Sequence, residues 1–279
     1  MQSEFRIYTI ETFRDYIMNT RFSRKIWFLQ NHHTWRPSYH HIRPGRDELY
    51  WLESMRTSHI RDRKWADIGQ NITTFPSGKI AVCRPINRIP AGIAGANTGA
   101  ICIEHFGNFD IGGDVMTQQH RDIIIAVNAI LCIKFDIVPS TPLIVYHHWF
   151  NSSGRRFNPE TINSGEVQLR ALQKSCPGTN FFLEESNDFK GNTLLSAESN
   201  FYPLIRDYIA KMNDDDNTSV SMLVTASGLN VRIGPNTRFA VKRVLIRGTI
   251  VQVYEHANGW SRVSQNQQEW VNSTYLKNA

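Results

Sequence analysis

Hydrophobic residues along this 279-residue chain recur at two spacings, and the pattern changes once. Up to about residue 212, helical patterns alternate with short apolar runs. Phe13, Tyr16 and Ile17 sit at helical spacing, which predicts a short amphipathic helix over residues 11–18. Residues 25–30 (KIWFLQ) form an apolar run that leads into two histidines and reads as a buried strand. Leu49, Leu52 and Met55 recur at three-residue steps and predict a helix over 47–60. Residues 68–74 and 79–84 read as a strand pair about a Pro76-Ser77-Gly78 turn. Residues 100–105 and 143–147 read as two more buried strands. The longest helical pattern, 117–135, is apolar on most faces and is expected to be packed. Residues 201–212 read as a closing helix. Strands alternating with helices argue for an α/β domain over 1–212.

Beyond this point short strands alternate with turns, among them Gly234-Pro235, Arg247-Gly248 and Asn258-Gly259. A small all-β domain is expected over 219–279. Between the two patterns lies the polar, like-charged run Asn213-Asp214-Asp215-Asp216-Asn217, which places a linker at 213–218.

Composition adds little. Apolar residues make up 41% and charged residues 20%, ordinary values for a chain that buries a core. The net charge of +6 suits anionic polymers such as nucleic acid, teichoic acid or acidic glycans. The basic residues are scattered rather than clustered, so nucleic acid is not expected as a partner. The N-terminal stretch shows no basic region followed by an apolar one, so it does not read as a signal peptide; another export route, or a leader outside this sequence, is expected. No apolar run approaches membrane-spanning length, and stable membrane insertion is not expected.

Histidines and one cysteine carry the chemistry. Six of the ten histidines form the adjacent pairs 32/33, 40/41 and 147/148. The first and last pairs fall at the C-terminal ends of expected strands, where α/β folds build sites. Cys176 precedes Pro177-Gly178 in a loop, whereas Cys102 and Cys132 lie in apolar runs and read as buried thiols. Two histidines and one cysteine would make a three-ligand zinc site with an open position. The plainer alternative is two strand-end histidines and an unrelated thiol. Glu104 interrupts an apolar strand; it is either a general base facing such a metal or an edge carboxylate facing water. Lys174, two residues before Cys176, is either a cation for a developing oxyanion or a surface lysine.

Several motifs in order resemble the type 2 N-acetylmuramoyl-L-alanine amidases, which include amidase-type phage lysozymes and peptidoglycan recognition proteins. They are Asn31-His32-His33-Thr34-Trp35, Trp65-Ala66-Asp67-Ile68-Gly69, Pro76-Ser77-Gly78-Lys79-Ile80 with Arg84, Gly95-Ala96-Asn97, residues 99–104, Ile144-Val145-Tyr146-His147 and Lys174-Ser175-Cys176-Pro177-Gly178. The likeness spans roughly residues 10–210. It implies a mixed central β-sheet flanked by helices, with Zn2+ in a surface groove. It implies cleavage of the amide between N-acetylmuramic acid and L-alanine in peptidoglycan. By resemblance His32, His147 and Cys176 are the metal ligands, Glu104 activates water and Lys174 stabilises the tetrahedral intermediate. Trp35 and Asn97, within the same motifs, are expected to touch substrate. The chain departs from the pattern at Gln70-Asn71, where many members carry Tyr-His, and at His148-Trp149, where they carry Arg-Asp.

The C-terminal motifs Leu229-Asn230-Val231-Arg232, Gly259-Trp260 and Trp270-Val271 with Tyr275-Leu276 resemble a bacterial SH3-like barrel. Such modules often bind cell wall, and Trp260 and Tyr275 are the aromatic residues expected to contact it, or else to pack the core. The combined expectation is an endolysin-like enzyme acting at the bacterial wall. A non-catalytic peptidoglycan receptor of the same fold is the alternative. A zinc peptidase would need another metal motif, such as HExxH, and none is present.

Overall fold

A computed structural model describes residues 5–168, 173–184, 188–217, 219–265 and 267–279. The chain divides into two compact units, Met1–Tyr208 and Ile209–Ala279. The first contains β1 (Arg6–Tyr8), α1 (Ile10–Asn19), β2 (Phe28–His33), α2 (Glu48–Arg61), β3 (Ile72–Thr74), β4 (Ile80–Val82), β5 (Ala100–His105), α3 (Gln118–Phe135), β6 (Ile144–Tyr146), α4 (Pro159–Asn163) and α5 (Leu194–Ser196). A π-helical turn over Ala197–Phe201 then leads into α6 (Tyr202–Asn217). The strands form one mixed sheet in the order β1-β4-β3-β5-β2-β6. β2, β3, β5 and β6 run parallel; at one edge β4 pairs antiparallel to β3, and β1 pairs antiparallel to β4. The expected mixed sheet with flanking helices is therefore present.

Local sequence explains the helix starts. The side chains of Thr9, Asp47 and Thr117 accept the N–H groups of Thr12, Tyr50 and His120, satisfying donors that a first turn leaves open. Three elements differ from expectation. β2 begins at Phe28, where its pairing with Ala100 of β5 begins, and runs through both histidines. β3 is confined to Ile72–Thr74, because residues 67–71 are held as a loop. Arg84 donates to the carbonyls of Asp67, Ile68 and Ile89, and the Asn71 carboxamide donates to those of Arg84, Pro85 and Arg88. Finally, the run expected as a linker continues α6 to Asn217, and the two units divide within that helix at Tyr208. Residue 218 lies outside the described residues.

Register decides which side chains share a face. Phe28 to His33 pair with Ala100 to His105 residue by residue, and successive side chains of a strand point to opposite faces. Gln30, His32, Cys102 and Glu104 therefore share one face with Thr73, while Asn31, His33 and His105 share the other with Thr74.

α3 covers the second face. There a buried polar chain crosses the sheet. The Tyr39 hydroxyl meets His120 Nδ1 at 2.7 Å, and His120 Nε2 meets Thr74 Oγ1 at 2.8 Å. Thr74 Oγ1 meets His105 Nδ1 at 2.9 Å, and His105 Nε2 meets Asn31 Oδ1 at 2.9 Å. Asn31 and Asn128 of α3 exchange carboxamide bonds at 3.1 and 3.0 Å. Paired in this way, buried polar groups avoid a desolvation penalty of about 1–3 kcal/mol each. α2 lies on the first face, where Trp51 and Leu52 cluster with Phe75, Ala81, Cys83 and Phe106. The buried ion pair of Arg56 with Asp67, at 3.0 Å, ties α2 to the following loop.

The second unit is all antiparallel. Its strands are β7 (Val220–Val224), β8 (Gly228–Arg232), β9 (Val241–Ile246), β10 (Ile250–Val253), β11 (Glu255–Ala257), β12 (Trp260–Arg262), β13 (Trp270–Asn272) and β14 (Leu276–Asn278). They form two sheets, β10-β7-β14 and β11-β12-β13-β8-β9. Val224, Leu229, Val231, Leu245, Val251, Val253 and Val271 make its core.

Burial holds the pKa of His120 down at about 3, against 6.5 when exposed. The unfolded chain thus binds this proton at a higher pH than the folded one. The stability it contributes is complete above pH 6.5 and is lost as pH falls toward the folded value. Denaturant titrations are expected to show an unfolding free energy that falls by about 1.4 kcal/mol per pH unit for this one group in that window. His120→Gln is expected to flatten that slope.

Candidate metal centre

The two histidine pairs end adjacent parallel strands. His32 and His33 close β2. His147 and His148 open a 3-10 turn directly after β6, whose Tyr146 lies opposite Asn31. The rings of His32 and His147 lie 4.8 Å apart. Cys176 arrives from the loop that carries Pro177 and Gly178. One ligand atom from each of His32, His147 and Cys176 falls within 4.8 Å of the others. Tetrahedral zinc with bonds of about 2.0–2.3 Å holds its ligands about 3.3–3.9 Å apart, so small side-chain shifts close this set around an ion. His32 Nε2 is buried and has no hydrogen-bond partner among the described residues. An orphaned imidazole nitrogen facing a histidine and a thiol fits a borderline-soft cation.

The second residue of each pair braces the loop. The His33 N–H donates to Cys176 Sγ at 3.2 Å, while its Nδ1 accepts from the Phe109 N–H at 3.1 Å. The His148 N–H donates to the Cys176 carbonyl at 2.7 Å, and its Nδ1 donates to the Lys174 carbonyl at 2.8 Å. Asp110 anchors both sides of the cysteine, accepting from Ser175 Oγ at 3.0 Å and the Thr179 N–H at 3.1 Å. Gly178 has φ +124°, and a Cβ there would lie 2.2 Å from the Phe109 carbonyl oxygen, so this close approach admits glycine alone.

Electrostatics keep the histidines ready to bind. Burial, and then the neighbouring His147, hold the pKa of His32 well below 6.5. Burial and Lys174 hold His147 at about 4. Both are neutral at pH 7, the form that coordinates metal. Burial and Glu104 push the Cys176 thiol well above its usual range, so a cation is needed to hold it as thiolate. Burial raises Glu104 to about 8, with Arg63 opposing. That carboxyl stands opposite His32 in the register, and a divalent ion nearby would pull its pKa back down.

His32, Trp35, Glu104, His147, Lys174 and Cys176 all line one groove of about 530 Å³. Trp35 is 53% exposed with φ +55°, and the Arg36 guanidinium lies 5.1 Å over its ring. Lys174 is exposed at the rim. Asn97 is not on the wall. Its Oδ1 accepts from the N–H groups of Gly92 and Ile93, so it braces the loop that brings Ala91 and Gly92 to the groove. Trp260 and Tyr275 belong to the second unit. Trp260 is only 9% exposed, which agrees with the core-packing alternative; Tyr275 is 47% exposed. Sequence reasoning missed the opposite wall. The His59 ring lies 4.7 Å from that of Trp65, tilted by 41°, and accepts from the Gly69 N–H, and Arg63 lies 5.6 Å over the Trp65 ring. Helical spacing on α2 offered the only sequence signal for His59. Asp110 had none.

Residues 227–277 match the model for the bacterial SH3 domain. That match covers the all-antiparallel unit. No curated protein matches the chain. Among solved structures, Drosophila PGRP-LB is 20% identical, over 61% of this chain and 89% of that one, with a TM-score of 0.43. N-acetylmuramoyl-L-alanine amidase LysC from Clostridium intestinale URNW is 22% identical, over 58% of this chain and 84% of that one, with a TM-score of 0.40. Human PGRP-IBETAC in complex with glycosamyl muramyl pentapeptide is 17% identical, over 50% and 84%, with a TM-score of 0.38.

Asp110 holds the cysteine loop without touching the ligand atoms. Asp110→Ala is expected to weaken divalent-cation binding at this set 10–100-fold, as losses of such supporting groups do. Competition with a chromophoric chelator measures it.

Proposed function

We propose that the chain is a zinc-dependent N-acetylmuramoyl-L-alanine amidase acting on bacterial peptidoglycan. The observation that carries this reading is the gathering of His32, His147 and Cys176 in one groove with Glu104 on the same face. It coincides with the ordered motifs that resemble the type 2 amidases. The substrate is the amide joining the lactyl group of N-acetylmuramic acid to L-alanine of the stem peptide.

His32, His147 and Cys176 would hold the ion. When bound, zinc polarises a carbonyl and acidifies water. Glu104 takes a proton from the attacking water and delivers it to the leaving amine of L-alanine. Its pKa, raised by burial and lowered again by a nearby cation, suits both directions of transfer near neutral pH. Lys174 places its ammonium where negative charge develops on the carbonyl oxygen. Trp35, exposed beside the metal ligands, offers a face for sugar or peptide. Gln70 lines the groove where many amidases have tyrosine. It is buried and donates to Thr73 Oγ1 at 3.0 Å, so Glu104 and Lys174 carry the proton and charge work without a phenol.

The SH3-like unit binds wall polymer, with Tyr275 as an exposed aromatic contact, and raises the enzyme's local concentration on its substrate. Such an enzyme works outside the cytoplasmic membrane, on intact wall. No helix among the described residues is long and apolar enough to cross a membrane.

Digestion of purified peptidoglycan, read by mass spectrometry, tests the proposal. Free stem peptides beginning at L-alanine are expected with zinc and not after chelation. Glu104→Gln is expected to lower turnover roughly 10²–10⁴-fold while sedimentation with wall is unchanged. Wall that is bound but left intact by zinc-loaded protein would replace the amidase with a peptidoglycan receptor.

A further inference from the structure

A second set of donors lies behind the groove wall that His32 and Glu104 form. Cys102 lies two residues before Glu104 on β5, so both point to the face that carries His32. One ligand atom from each of His32, Cys102 and Glu104 falls within 4.8 Å of the others. Gln30 stands directly opposite Cys102 in the register. Its Nε2 donates to the Ala96 carbonyl, but its Oε1 is fully buried and has no partner among the described residues. That oxygen lies 2.3 Å, and Cys102 Sγ 2.8 Å, from the point where a Cβ on Gly92 would stand. A buried carboxamide oxygen without a donor costs about 1–3 kcal/mol. The set of His32, His147 and Cys176 does not account for it.

We propose that His32, Cys102 and Glu104, with Gln30 Oε1 beside them, form a second metal position for a thiophilic divalent cation of the zinc and cadmium class. One imidazole, one thiolate and one carboxylate are the donor types such ions take. The two positions share His32, so they are alternatives and the groove holds one ion at a time. An ion in the second position engages Glu104 and withdraws it from proton transfer. Cys102 therefore makes the groove sensitive to excess or thiophilic metal. The inference rests on these donors alone and stands whether or not the protein is an amidase.

Cadmium titration of reduced, metal-free, full-length protein tests it, read by the ultraviolet thiolate-to-cadmium charge-transfer band. Cys176→Ser removes the thiolate of the first set. It is expected to keep a saturable band of about one cadmium–thiolate bond per chain, and the double variant Cys102→Ser/Cys176→Ser is expected to lose it. Adding Glu104→Gln to Cys176→Ser is expected to weaken cadmium binding at least about tenfold, in line with loss of a charged ligand. If Cys176→Ser fails to fold by circular dichroism, His147→Ala disables the first set instead. Adding Cys102→Ser to His147→Ala should then weaken cadmium binding by the same factor. No band in folded Cys176→Ser, a band that survives in the double variant, or an unchanged affinity on adding Cys102→Ser to His147→Ala overturns the proposal.

Discussion

The parallel register of β2 against β5 is the constraint on which the rest of the first unit depends. With His32 opposite Glu104 and His33 opposite His105, two adjacent pairs are each divided between the faces of the sheet. One member of each goes to an open groove and the other to a packed interior. A slip of one residue would exchange them, placing His33 beside Glu104 and leaving His32 against α3. The polar chain on the α3 face resists that slip. Asn31 of β2 is tied to Asn128 of α3 and to His105 of β5 by hydrogen bonds that a slip of β2 would break.

The third member of the candidate set depends on a different device. Cys176 stands in a loop, and a loop alone holds a thiol loosely. Here the backbone N–H groups of His33 and His148 donate to its sulfur and its carbonyl, so the strand ends that supply histidines also fix the cysteine. Doubling of the histidines thus has a physical basis. The first residue offers a ring to the groove, and the second secures the loop that completes the set. Asp110 and Gly178 close the arrangement from the other side.

Much of this was legible in the chain. The alternation of apolar runs with helical patterns gives the α/β unit, and a change to short strands gives the all-β one, because burial imposes periods of 3.6 and 2 on the residues that face a core. Limits of elements were less legible. β3 loses residues 68–71 because distant Arg84 claims the carbonyls of Asp67 and Ile68 while the Asn71 carboxamide reaches across to that of Arg88, and no local pattern announces such bonds. The helix through Asn213 to Asn217 runs on although its composition resembles a linker. In the groove, the histidine pairs were visible by their place at strand ends. Asn97 stood in a motif beside the site, yet its carboxamide serves a loop, a distinction that only geometry makes. Trp260 is an aromatic on a short strand, and inward and outward positions there are one residue apart.

Satisfaction of hydrogen bonds differs between the two faces of the sheet. On the α3 face, both ring nitrogens of His105 and His120 have partners, and the desolvation that depresses their pKa values is offset by bonds made in the folded state. On the opposite face, His32 Nε2 and Gln30 Oε1 are buried and unpaired among the described residues, and Glu104 carries a raised pKa there. Stability alone does not maintain such a face, since apolar residues of similar shape would avoid its cost. Such a set of donors could hold a cation. The fully paired network across the sheet supplies the rigidity with which those donors are held.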